Sequence, residues 1–236
     1  MRIVVTDLTR FKNKEILCLA GITEDGKQCI RPLTVANPGY LSYEWCKRMN
    51  ILPGSILEGT FTKPKNIAAP HVEDRNYTYL QPKGSVGSAK FQSILEKSST
   101  KSVRIGFGCT SQPTDKVLTK PPSKSIITLM IKPTNFRIVH DLYDKEKIKA
   151  HLTDYDGFNL RFLGITDLGF FDNVGQTVTR KVSAEEITKF IHKQDILMIR
   201  LGLSREYKSP DGRNGYWMQV NGIYTFPNYQ EIVRKY

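Results

Sequence analysis

The chain has 236 residues, with 35 lysine and arginine residues against 23 aspartate and glutamate residues, and a formal net charge of +12. A hydrophobic share of 39% with interspersed charges is enough to build a core, which excludes a largely disordered chain. The apolar runs fall short of the roughly 18–20 residues of a membrane-spanning helix, and the N-terminus lacks the apolar stretch of a signal peptide. We therefore expect a cytoplasmic protein with no membrane partner.

The first third of the chain has the pattern of a small β-barrel. Apolar and β-branched runs predict strands, and one helical spacing interrupts them. In chain order the sequence predicts strands at Arg2–Leu8, Glu15–Thr23 and Cys29–Leu33, a helix at Tyr40–Met49 and a strand at Ser55–Thr62. Strand, strand, strand, helix, strand is the order of the OB-fold, a five-stranded Greek-key barrel. Residues 1–80 are therefore predicted to form an OB-like barrel.

The middle of the chain is strongly basic. Between Asn76 and Lys132 there are nine basic residues against two acidic ones, and the stretch is rich in Gly, Ser, Thr and Pro. We expect residues 81–124 to connect two folded modules. Such a segment either contacts phosphates through its charge, with Lys97, Lys101 and Arg104 as candidates, or is a solvated loop whose lysines only aid solubility.

The second half repeats the theme, so residues 125–236 are predicted to form a second OB-like barrel. Ser183 and Glu186 have the spacing of a capping box, which predicts a helix to about His192. The predicted strands are Ser125–Ile131, Asn135–His140, Lys147–Thr153, Phe158–Ile165, Asp195–Leu203 and Tyr216–Thr225. The overall expectation is a mostly β protein with a few short helices and two OB-like barrels in tandem. A short echo, Val-Thr-Asp-Leu at 5–8 and Ile-Thr-Asp-Leu at 165–168, gives weak support for duplication.

Short blocks along the chain resemble the prokaryotic dual OB-containing domain family. They are Thr-Asp-Leu-Thr-Arg at 6–10, Ile-Arg-Pro at 30–32, Leu-Pro-Gly at 52–54, Pro-His-Val-Glu-Asp at 70–74, Tyr-Asp-Gly-Phe-Asn-Leu at 155–160, Ile-Thr-Asp-Leu at 165–168, Arg-Leu-Gly-Leu-Ser at 200–204 and Trp-Met-Gln-Val-Asn-Gly-Ile-Tyr-Thr-Phe-Pro at 217–227. The resemblance implies two OB barrels, a place in a prokaryotic defence or conflict system, and binding of nucleic acid or nucleotides. It carries over no catalytic residues.

Nucleic-acid binding on such barrels uses aromatic rings that stack on bases and cations that pair with phosphates. Because side chains alternate along a strand, Phe158 and Phe162 are expected to share one face and Arg161 to take the other. Trp217 and Tyr224 are expected in the core. The candidate contact residues are Arg31, Tyr155, Arg161, Arg200, Arg205, Tyr207, Lys208, Arg213, Lys97, Lys101 and Arg104.

His71, Glu73 and Asp74 form the densest group of acid–base or metal-binding side chains. The Pro-Cys-x-x-Cys that completes a zinc deaminase site is missing, and the four cysteines are far apart, so no metal or cofactor is expected. The leading hypothesis is a non-enzymatic module that binds single-stranded DNA, RNA or a nucleotide. The alternatives are a protein-interaction or adaptor subunit with partner proteins, and a nuclease-like enzyme that uses His71, Glu73 and Asp74.

Overall fold

The computed structural model describes residues 1–34, 39–144, 147–170 and 183–228. These residues are mostly β-structure with short helices, as the sequence predicts. In chain order the strands are β1 (Arg2–Arg10), β2 (Ile16–Thr23), β3 (Cys29–Leu33), β4 (Leu41–Ser42), β5 (Ser55–Thr62), β6 (Asp74–Ser85), β7 (Ser99–Thr100), β8 (Val117–Leu118), β9 (Ile126–Ile131), β10 (Phe136–His140), β11 (Ile148–Thr153), β12 (Asn159–Ile165), β13 (Ile196–Leu203), β14 (Tyr207–Lys208) and β15 (Asn214–Phe226). The α-helices are α1 (Tyr43–Arg48), α2 (Ser88–Lys97), α3 (Val103–Phe107) and α4 (Ala184–His192). Within the described ranges, none of these helices combines the length and apolarity that a membrane crossing requires.

Five strands of the first half close into a barrel. Strand β1 pairs antiparallel with both β2 and β5, β2 pairs with β3, and β5 pairs with β6. The ring closes because β3 runs parallel to β6. Helix α1 lies between β3 and β5 in the chain, and Ser42 caps it by accepting a hydrogen bond from the Trp45 N–H. The predicted order of strand, strand, strand, helix, strand is confirmed, and the barrel is an OB-fold; its fifth strand, β6, was not predicted.

The second half has the same strand order with one interruption. Strands β10, β11, β12, β15 and β13 are neighbours in that order, β12 runs parallel to β15, and α4 lies between β12 and β13 in the chain. The first OB strand is divided: β9 pairs with β13, and β10 pairs with β11. A 3-10 turn at Pro133–Asn135 joins the two pieces. Proline has no N–H for a strand ladder, which accounts for the break.

Residues 81–124 differ from the mobile or solvated segment that their composition suggests. Strand β6 continues to Ser85, past the expected boundary at residue 80, and two helices follow it. Helix α2 buries Phe91, Ile94 and Leu95, while Phe107 of α3 enters the core of the second barrel. The segment is folded because apolar side chains at helical spacing stand among its lysines and serines.

The two barrels meet at an interface that we call the seam. Its apolar part brings Val4 and Ile22 of the first barrel against Met198, Tyr224 and Phe226 of the second, with α2 packed over them. The Tyr224 hydroxyl donates to the Thr6 carbonyl at 2.6 Å. The burial of Tyr224 agrees with its expected core position. The tetrapeptide echo, in contrast, joins non-equivalent strands, since Asp7 lies in the first OB strand and Asp167 follows the third.

The polar part of the seam is an arrangement of buried charges. Arg200 of β13, 1% exposed, donates from Nε to Asp7 Oδ2 at 2.9 Å. Glu73 accepts from the N–H and the hydroxyl of Ser125 and from the Ile126 N–H. Asp74 accepts from Arg31 of its own barrel and from Arg205 of the other barrel.

Candidate nucleic-acid interface

The seam takes several of the predicted site residues out of solvent. Arg31 is 6% exposed and bonded to Asp74, and Arg200 is held by Asp7. Both guanidinium groups are therefore paired with carboxylates inside the fold, where the sequence predicted contacts with phosphate. Sequence reasoning placed each of them at a strand end or in the last hairpin. The local sequence around each arginine gives no sign of its carboxylate partner, because that partner is distant in the chain.

The acid–base group His71, Glu73 and Asp74 also belongs to the seam. Both oxygens of Glu73 accept hydrogen bonds from the start of β9, and both oxygens of Asp74 face arginines. Both carboxylates therefore have structural partners in the folded protein. Within the described ranges, no three His, Cys, Asp or Glu side chains are grouped so that they could hold a metal ion.

His71 predicts a pH dependence of stability. Its Nδ1 lies 3.0 Å from Arg31 Nη2, which can only donate, so the folded protein holds the imidazole neutral. Burial, and then the charges of Arg31 and Arg205, lower the pKa of His71 from 6.5 to about 3, against a smaller opposing effect of Asp74. Unfolding restores the ordinary pKa, so the unfolded chain binds the extra proton between these two values. Stability is therefore expected to fall as pH drops through this window.

The measurement is the denaturant midpoint of unfolding at a series of pH values between about 4 and 8, for the native chain and for His71→Gln. The native chain is expected to lose more stability than the variant below about pH 6.5. Parallel curves for the two proteins would show that His71 is not held neutral.

The outward side of β10, β11 and β12 carries cations and aromatic rings together. We call it the aromatic-basic face and define it by Arg137, Lys149, His151, Arg161 and Phe162. Arg137 lies directly opposite His151 in the β10–β11 pair, and both Arg137 and Arg161 are exposed. The inward side of these strands packs into the core through Phe136, Ile138, Ala150, Leu152, Leu160 and Leu163. In an OB-fold this outward surface, that of the second and third strands, is a ligand-binding surface.

A β-bulge sets the geometry of this face. Leu160 pairs with Leu152 and Leu163 with Ala150, so Arg161 and Phe162 together oppose His151 alone. Phe162 has a φ of 52° and leaves the strict alternation expected along the strand. Arg161 points outward as predicted, but Phe162 joins it on the outer side instead of facing the core with Phe158. The Phe162 ring meets the His151 ring edge-on, with 4.5 Å between the ring centroids.

The electrostatic field over the face is positive. Burial of the ring lowers the pKa of His151, and the nearby Arg137, Arg161 and Lys116 lower it further. Lys116 reaches the face from the segment before β8 and donates from Nζ to the Phe162 carbonyl at 3.0 Å. A row of cations beside aromatic rings is the arrangement that single-stranded nucleic acids need.

The loop between β10 and β11 presents an exposed aromatic ring at one end of the face. Tyr143 is 96% exposed and Leu142 is 60% exposed. The backbone of this turn is fixed because Asp141 accepts hydrogen bonds from the N–H groups of Tyr143 and Asp144. The loop between the first and second strands is one of the two loops that OB-folds use for oligonucleotides.

The other such loop joins β13 to β15 and carries four of the predicted residues: Arg205 at its start, and Tyr207, Lys208 and Arg213. Arg213 lies over the Trp217 ring, with its guanidinium carbon 4.8 Å from the centroid, and pairs with Asp115 at 2.7 Å. Asp115 is the neighbour of Lys116, so this loop lies next to the aromatic-basic face. Trp217, expected in the core, is instead half-buried beneath Arg213.

The remaining predicted residues lie elsewhere. Tyr155, at the turn between β11 and β12, has Lys101 Nζ 5.2 Å from its ring centroid, and Arg104 follows on α3. Lys97 ends α2 at a cleft between the barrels. Arg205 is half-exposed and bonded to Asp74 at the seam.

Five residues on or beside the aromatic-basic face were not predicted: Arg137, Lys149, His151, Tyr143 and Lys116. The alternation of charged and apolar residues in 136–140 and 148–152 was a signal for an outward basic side.

Comparison with known proteins supports the fold. The model of the dual OB-containing domain family matches residues 1–223, nearly the whole chain. A search of the curated proteins gave no match.

Proposed function

The chain belongs to the dual OB-containing domain family, and from this premise we propose that it is a binding module for single-stranded nucleic acid, with the aromatic-basic face as its contact surface. One observation carries the proposal: cations and aromatic rings lie together on the second and third strands of an OB barrel, between the two loops that such barrels use for ligands. A role in a prokaryotic defence or conflict system and a cytoplasmic location stay predictions.

The chemistry of the face assigns a task to each kind of side chain. Arg137, Arg161 and Lys149 would contact phosphates. Lys149 also forms a salt bridge with Asp141, with 3.3 Å between Nζ and Oδ2. The exposed ring of Tyr143 would stack on a base, and Tyr207, 54% exposed, would do so at the other loop. Stacking and phosphate contacts read no particular base edge, so the proposed binding has little sequence preference.

The test is fluorescence anisotropy of short labelled single-stranded DNA and RNA and of duplex DNA, at low and near-physiological salt. Tyr143→Ala is expected to weaken single-strand binding about tenfold, because stacking on one ring contributes about 1–3 kcal/mol. Replacing both Arg137 and Arg161 with alanine is expected to lower the salt slope by about two, because each of these arginines would neutralise one phosphate.

The matched control is Arg48→Ala, which removes an exposed arginine from α1 of the first barrel. Its affinity and salt slope are expected to equal those of the native chain. If the native chain binds none of these oligonucleotides, the proposal is wrong. Equal losses in Arg48→Ala and in the face variants would mean that only net charge attracts the strand.

A further inference from the structure

A separate cleft of about 890 Å³ opens between the two barrels. It is lined by the turn between β2 and β3, by the end of α2, β7, α3 and the start of β9, and by Val72, Glu73 and Arg75. Its volume falls within the roughly 300–1,000 Å³ of small-molecule sites. The residues of the aromatic-basic face do not line this cleft, so it is a second site.

Three exposed lysines line the cleft, each from a different part of the fold. They are Lys27 of the β2–β3 turn, Lys97 of α2 and Lys124 before β9. Among the described residues none of the three forms an ion pair. Like charges brought together without partners are unfavourable unless an anion joins them. The ammonium groups are therefore suited to a ligand with several negative charges.

The two carboxylates of the lining, Asp25 and Glu73, are outnumbered by five cations: Lys27, Arg75, Lys97, Lys124 and Arg200. Asp25 accepts from the Thr23 hydroxyl at 2.6 Å and from the Lys27 N–H. Glu73 is saturated by Ser125 and the Ile126 N–H. The cleft is therefore electropositive. The wall also includes five hydroxyl residues, each hydrogen-bonded within the protein: Ser98, Ser99, Thr100, Ser123 and Thr128.

The lining also includes exposed aliphatic side chains. Ile105 of α3 is 61% exposed and Val72 is 37% exposed, and both belong to the cleft. An inorganic anion gains nothing from an aliphatic surface, whereas the flat face of a base does. Cations and aliphatic surface together fit a ligand that is anionic at one end and apolar at the other.

We propose that this cleft binds a nucleoside di- or triphosphate, with the phosphates held by Lys27, Lys97 and Lys124 and the base packed on Ile105 and Val72. The site lies against the seam, since Arg200 and Glu73 also line it. A bound nucleotide would therefore contact both barrels at once.

Isothermal titration calorimetry tests the proposal with ATP, GTP and inorganic tripolyphosphate as probes. The native chain is expected to bind the nucleotides more tightly than tripolyphosphate. Lys97→Ala is expected to weaken nucleotide binding about tenfold, the effect of one charge-assisted hydrogen bond. The matched control is Lys90→Ala, which removes an exposed lysine from the same helix outside the cleft. This variant is expected to bind like the native chain.

Ile105→Ser tests the packing of the base separately from the phosphate contacts. It is expected to weaken nucleotide binding and to leave tripolyphosphate binding unchanged. Tripolyphosphate binding equal to that of the nucleotides would overturn the assignment of the base, and no nucleotide binding at millimolar concentration would overturn the site. Anisotropy with single-stranded oligonucleotides on the same variants tests the cleft independently of the aromatic-basic face. Lys97→Ala is expected to lose nucleotide affinity and to retain single-strand binding.

Discussion

Arg200→Met is expected to lower the free energy of unfolding by about 3–5 kcal/mol, as removal of one partner of a buried ion pair does. Arg200 joins three elements of the fold: Nε and Nη2 contact Asp7, Nη1 donates to Thr128, and Nη2 donates to Cys29. Methionine fills much of the space but leaves Asp7, 1% exposed, without its cation. The uncompensated carboxylate accounts for most of the expected loss.

Urea denaturation of Arg200→Met, and of the same chain with Asp7→Leu added, checks this prediction. The double variant is expected to regain much of the lost stability, because it removes the stranded charge together with its partner. If Arg200→Met does not fold, the folded state of the double variant still tests the pairing. A single variant within 1 kcal/mol of the native chain would show that Asp7 and Arg200 are not a buried pair.

Asp74→Ala is the second change with a large expected effect, a loss of about 3–5 kcal/mol. Asp74 lies 2.5 Å from Arg31, which is 6% exposed and also contacts His71, while Glu73 acts on its charge from a greater distance. Without Asp74 the Arg31 guanidinium stays buried beside a neutral ring. The same carboxylate also holds Arg205, but that side chain is half-exposed and can return to water.

Arg205→Ala provides the internal control for Asp74→Ala. It removes an arginine from the same carboxylate, yet the expected loss is below about 1 kcal/mol because an exposed ion pair contributes little. Thermal or urea unfolding of both variants gives the comparison. Similar losses in the two variants would mean that burial does not set the strength of these contacts.

The strand pattern was readable from the sequence because local signals carry it. Apolar alternation located four of the five strands of the first barrel and the strands of the second, but not β6. The Ser183–Glu186 spacing marked a capping box that the structure contains. The order of those elements was enough to predict the OB-fold, and the family match supports it. Helix α2 also had a local signal, the helical spacing of Phe91, Ile94 and Leu95. The many glycine, serine and lysine residues around it led instead to the prediction of a connecting segment.

The seam was beyond local reading because its partners are far apart in the chain. Asp7 and Arg200 are separated by 193 positions, and Glu73 and Ser125 by 52. A charged residue in a strand has the same local pattern whether water or a partner faces it. The bulge at Phe162 had no composition signal either, so strict alternation placed its ring on the wrong side. The proposed interface therefore shares Arg161 and Tyr207 with the residues predicted from the sequence, and its other side chains were not predicted.

The charges of the seam also determine which halves of two molecules can associate. In the charged hydrogen bonds described above between the barrels, the first barrel contributes the carboxylates of Asp7, Glu73 and Asp74, and the second contributes the donors Arg200, Arg205 and Ser125. Two first barrels brought together would oppose acid to acid, and two second barrels would oppose cation to cation. An exchange of halves between two copies, first barrel to second barrel as in a domain swap, would keep these hydrogen bonds.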